Sequence, residues 1–147
     1  MAEKFHGNTL RNGRCSMEGG VYHVTSVTRN RWPYFEDMKL ACLMCQTLYW
    51  SDQQGYTNTY CFVVMPDHFH WLFSLQGKHP LSATMNLVKG RSGRLSGNRI
   101  WQRGFHDHAL RGEESIKDVA RYIIANPLRA GLVKSVRDYP FWNATWL

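Results

Sequence analysis

The chain lacks any apolar run near the roughly 18 uninterrupted residues that a membrane-spanning helix requires. Its opening residues, MAEKFHGNTLRNGRC, have no apolar signal-peptide core, so a cytoplasmic location is expected. Cysteine is scarce: of four, only Cys42 and Cys45 stand close together. A structural zinc site needs a second such pair or matching histidines. This pair lies in the apolar run DMKLACLMCQTLYW, which points to core cysteines. Acidic residues are also few. Eleven Asp and Glu stand against 18 Lys and Arg, a net charge of +7 that suits a polyanionic partner, most commonly nucleic acid. No repeat, linker or low-complexity segment divides the 147 residues, so one compact domain is expected. Residues 1–18 read as a loosely ordered basic arm ahead of it.

What is present is apolar enough for a core, at 44%, and rich in aromatics, at 14%. Most such rings fill cores, but rings beside basic residues also stack on single-stranded bases, and Trp32, Tyr34 and Trp101 are candidates. VYHVTSVT, at 21–28, alternates β-branched and aromatic residues and predicts a strand. Met38, Cys42, Cys45 and Tyr49 recur at helical steps within 36–54, with Gly55 as the stop. TNTYCFVVM (57–65) and HFHWLFSL (68–75) predict two strands around a Pro66-Asp67 turn. A second helix is expected at 81–97 and a fourth strand at 100–110. Ser115 with Asp118 opens a third helix striped by Ile116, Val119, Ala120, Ile123 and Ile124. The first six elements give an α+β, ferredoxin-like βαββαβ antiparallel sheet, on which the last helix must pack.

Two pieces carry chemistry. In His68-Phe69-His70 the strand period of two puts both imidazoles on one face and Phe69 on the other. The pair could share a divalent metal, or be two ordinary histidines on a half-exposed strand. Tyr122 and Asn126 are four apart on the third helix and so share a face. An asparagine oxygen can be a metal ligand, and a tyrosine one turn away could reach a phosphate held there. Alternatively Tyr122 packs on the sheet and Asn126 merely ends the helix before Pro127.

The runs VVMPDHFHWLF, WQRGFHDHALR and ARYIIANPLRAGLV, within residues 20–140, resemble the REP-associated tyrosine transposases. These are single-tyrosine HUH transposases, named for histidine, hydrophobic residue, histidine. The resemblance implies a ferredoxin-like sheet with the tyrosine on a following helix. It makes His68 and His70 the metal ligands, Tyr122 the nucleophile and Asn126 the polar residue completing the metal site. The implied cofactor is Mg²⁺ or Mn²⁺, with the mixed His/Asn set favouring Mn²⁺ for tight binding in vitro. The implied substrate is single-stranded DNA with hairpin-forming palindromes, cleaved and rejoined through a 5′-phosphotyrosine. The implied setting is a prokaryotic nucleoid, the implied assembly a monomer or homodimer. The first strand departs from the family, with Gly20-Val21-Tyr22-His23-Val24 where a Gly-Thr-Trp-Tyr-Phe-like run is frequent.

Arg29, Arg31, Lys89, Arg91, Arg94, Arg99, Arg103 and Arg111 are candidates for tracking a DNA backbone, or form a solvated surface. A second pair, His106-Asp107-His108, has a charged middle residue and so lacks the core anchor that Phe69 provides. It is expected to be structural or DNA-facing, on an edge strand beside the first. Two rivals remain at this point: a non-catalytic nucleic-acid-binding module, and a hydrolytic metal-dependent nuclease.

Overall fold

A computed structural model describes residues 19–111 and 115–145; the arm at 1–18 lies outside the described residues. Five strands form one antiparallel sheet: β1 (Val21–Val27), β2 (Thr57–Met65), β3 (His68–Leu75), β4 (His106–Ala109) and β5 (Trp142–Ala144). The helices are α1 (Met38–Gln53), α2 (Leu81–Ser96), α3 (Ile116–Ile124) and the single turn α4 (Asn126–Arg129). The strand order β4-β1-β3-β2-β5 contains the ferredoxin-like arrangement, with β5 added at the β2 edge.

The period of two splits the sheet into unlike faces. Val24, Phe62, Val64, Phe69, Trp71 and Phe73 point to one side and form the main core with α1 and α2. Phe69 is fully buried there, as its place between two histidines predicts. The Trp71 indole donates to Thr59 Oγ1 at 2.9 Å, which gives its one polar atom a partner in that core. On the other face, Cys61, Val63, Met65 and Leu72 meet Ala120 and Ile123 of α3. Ile116, Val119 and Ile124 flank this second core, so the expected stripe of α3 is the docking face.

Three expectations change. The buried stripe of α1 is Ala41, Met44, Thr47, Leu48 and Ser51, whereas Met38, Cys42 and Tyr49 are exposed. Two apolar stripes lie side by side on this helix. The sheet takes the one whose small and hydroxyl residues allow close approach, with Thr47 donating to the Leu43 carbonyl and Ser51 paired to Thr57. Cys42 is therefore not a core residue, although Cys45 and Cys61 are shielded and burial pushes both thiols up to about 12. The fourth strand spans only four residues, because the chain turns at Gly104 (φ 81°) before it pairs with β1. Trp101 makes a single bridge to Thr28 and packs on Phe35 and Phe69, so it is a core ring rather than a stacking platform.

Candidate active site

The α3 face of the sheet carries a row of histidines. Cross-strand pairing sets Thr25 opposite both His70 and His106, His23 opposite His108, and Val27 opposite His68. Paired residues point to the same side, so His23, His68, His70, His106 and His108 share one face. α3 packs chiefly on β2, and less on β5 and β3.

His68 and His70 are side by side, their ring centroids 5.0 Å apart. Each has its Nδ1 held. His68 Nδ1 lies 2.7 Å from an Asp67 carboxylate oxygen, which can only accept, so Nδ1 is the donor. His70 Nδ1 lies 3.0 Å from Thr25 Oγ1 and 3.0 Å from His23 Nε2. Burial, followed by the nearby His23, His68 and Arg129, holds His70 down at about 3, so it is a neutral imidazole. Burial and then His108 hold His23 down at about 4.

Asp67 is fixed from three directions. Its carbonyl accepts from the Thr28 amide at 2.9 Å and the Thr28 hydroxyl at 3.0 Å, and its carboxylate pairs with Arg31 Nε at 3.2 Å. Arg31 reaches it from the Arg29–Arg31 turn, where both Asn30 and Arg31 adopt positive φ (57° and 55°). Such backbone costs about 1–2 kcal/mol for a non-glycine residue, and here the geometry delivers a guanidinium to the carboxylate that orients His68. Arg31 thus belongs to the histidine site.

Tyr122 sits on α3, 60% exposed, with the Arg129 guanidinium 3.8 Å above its ring centroid. Asn126 opens α4 directly after the α3 cap at Ala125. Pro127 has no amide hydrogen to continue the helical ladder, so one expected helix becomes two pieces. Asn126 Nδ2 is buried without a hydrogen-bond partner among the described residues. Amide oxygen and nitrogen exchange places on a half-turn, so the same position can present an oxygen acceptor to a cation.

This donor set suits a divalent ion: two adjacent imidazoles, each with its Nδ1 held by a neighbour, and a buried amide nitrogen lacking a partner. Among the described residues no three His, Cys, Asp or Glu side chains cluster as a metal site.

The basic residues do not converge on one track. Arg29 and Arg31 lie where β1 ends beside His68, and the Arg29 amide bonds to the Ile100 carbonyl, which brings Arg99 and Arg103 to the same end. Lys89 Nζ donates to the carbonyls of Gln102 and Gly104 at 2.9 and 2.6 Å and thereby ties the loop to α2. Burial holds this ammonium down at about 8. Arg91 stacks on Trp50 at 4.5 Å, and Arg94 ends α2, both in the helical layer behind the sheet. Arg111 follows β4 near Val21, at the opposite end from Arg29. Tyr34 packs against the core, whereas Trp32 is 63% exposed beside the arginine turn. Sequence reasoning missed His23, Thr25, Asp67 and Arg129. Only Asp67, next to His68 in the chain, carried a local signal.

The site thus comprises a ferredoxin-like sheet with a histidine pair on β3 and a tyrosine-bearing helix packed on the same face. The chain belongs to the Transposase IS200 like family, which matches residues 16–126. It is 34% identical over 82 residues to the REP-associated tyrosine transposase of Escherichia coli (strain K12), a match covering 54% of this chain and 50% of that protein's length. It is 26% identical to a putative REP-associated tyrosine transposase of Haemophilus influenzae, over 84% of this chain and 79% of that one. The solved structure of a REP-associated tyrosine transposase bound to a REP hairpin superposes with a TM-score of 0.77 and 26% identity, covering 97% of this chain and 82% of that one. A putative transposase from Deinococcus radiodurans shares the fold, with a TM-score of 0.56 and 18% identity over 84% of this chain and 95% of that one.

Proposed function

We propose that the protein is a metal-dependent DNA strand transferase that cleaves and rejoins single-stranded DNA beside hairpins. The observation that carries this reading is the pair His68 and His70, side by side with each Nδ1 held by a neighbour, on the sheet face where α3 packs. His68, His70 and Asn126 would hold the ion. Mg²⁺ or Mn²⁺ bound there would supply charge stabilisation at the scissile phosphate.

Tyr122 Oη attacks phosphorus, a P–O bond to the phenol forms, and the bond to the 3′-oxygen breaks with its electron pair. The phenol proton is lost and the departing oxygen gains one. The products are a 5′-phosphotyrosine and a free 3′-OH. Attack by a 3′-OH reverses the step and restores the phenol, so bond energy is conserved and no nucleotide cofactor is consumed. Arg29, Arg31, Arg99 and Arg103, at the His68 end of the sheet, are the proposed contacts to the backbone of the hairpin. The hairpin partner of the structurally similar transposase supports this choice of substrate.

A labelled single-stranded hairpin incubated with Mn²⁺ tests the proposal. A covalent protein–DNA species that is absent with Tyr122→Phe is expected. Cleavage that persists in Tyr122→Phe identifies a hydrolytic nuclease instead, and binding without cleavage identifies a binding module.

A further inference from the structure

Arg129 is exposed, so burial in the core does not explain its place. It lies seven residues beyond Tyr122, across the break between α3 and α4, yet its guanidinium returns to the tyrosine ring at 3.8 Å. Among the described residues no carboxylate pairs with it, whereas Arg121 pairs with Asp118 and Arg31 with Asp67. A guanidinium lying over a ring makes that contact through its carbon and its face. Its N–H groups lie in its own plane and remain directed outward. A phosphate attacked by the Tyr122 phenol therefore comes within reach of this guanidinium.

We propose that Arg129 is a catalytic residue whose guanidinium binds a non-bridging oxygen of the scissile phosphate beside the Tyr122 phenol. This rests on the reading of Tyr122 as nucleophile. Magnitudes separate the role from mere support of the ring. A cation over an exposed ring changes a side-chain population only a few-fold, on the order of two to five. A charge-assisted donor aimed at a transition-state oxygen changes the rate about 10²–10³-fold.

The test is single-turnover cleavage of a saturating hairpin with Mn²⁺ by wild type, Arg129→Gln, Arg129→Lys and Tyr122→Phe. Hairpin and Mn²⁺ affinities are measured by calorimetry on the same proteins. Arg129→Gln is expected to keep both affinities and lose about 10²-fold or more in rate. Arg129→Lys is expected to recover part of that loss, since charge is retained and the fork is not. A methylphosphonate at the scissile position should slow wild type far more than Arg129→Gln. A rate for Arg129→Gln within tenfold of wild type at saturation overturns the inference, whether or not hairpin affinity falls. If Tyr122→Phe is inactive in that experiment, the nucleophile reading stands and Arg129 alone is rejected. If Tyr122→Phe still forms the adduct, both fall together.

Discussion

Histidines alternate along many strands without binding anything. The difference at His68 and His70 lies in the groups behind them. Asp67 holds one imidazole at 2.7 Å, and Thr25 with His23 holds the other at 3.0 Å. A carboxylate partner fixes which ring nitrogen donates, and removing such a partner typically weakens metal binding 10–100-fold. Asp67→Asn is therefore expected to lower Mn²⁺ affinity about 10–100-fold in calorimetry. An unchanged affinity would show that the carboxylate does not set the imidazole. Tyr122→Phe should leave stability within about 0.5 kcal/mol of wild type, because the side chain is 60% exposed and a chemically denatured sample reads only lost packing. The histidine pair was legible in the sequence because a period of two is local. His23 and Thr25 were not, because strand register brings them to His70 from 47 and 45 residues away, and Arg129 was not, because a helix break returns it to Tyr122.

At the scale of elements, α3 carries the tyrosine on the sheet face that bears the histidines. It docks through Ala120 and Ile123, with Ile116, Val119 and Ile124 around them. Ile123→Ala should cost about 2–5 kcal/mol in urea unfolding, because the side chain is fully buried and a cavity remains. A cost below about 1 kcal/mol would mean that α3 is not held by this seam. The start of α1 depends on Asp37, which accepts from the amides of Lys39 and Leu40. Asp37→Ala should cost about 1 kcal/mol, read the same way. The helix and strand order from β1 to α3 was legible, because each element carries its own apolar period and stop signal. The rotation of α1 was not, since two adjacent apolar stripes compete and only the sheet chooses. The length of β4 was obscured by Gly104, and β5 has only three residues, too few to show a period.

Across the whole molecule, the two faces of the sheet separate support from chemistry. One side is closed by α1 and α2, and the other leaves the histidine row beside α3. The charge follows neither layer: Arg91 and Arg94 lie behind the sheet, while Arg29, Arg31, Arg99 and Arg103 gather at the His68 end. Each of Arg29→Ala, Arg99→Ala and Arg103→Ala should weaken hairpin binding and reduce the salt slope of log K by about 1. Arg94→Ala should leave both unchanged, and an equal loss there would place the DNA on the helical layer. Net charge alone, which was plain in the sequence, could not make this distinction, since it carries no position. The most direct measurement is mass spectrometry of the protein after reaction with a single-stranded hairpin and Mn²⁺, followed by tryptic digestion. The expected result is a nucleotide mass on the peptide that carries Tyr122, lost when His68 or His70 is replaced by Ala. An adduct on another residue, or cleaved DNA with no adduct at all, would contradict it.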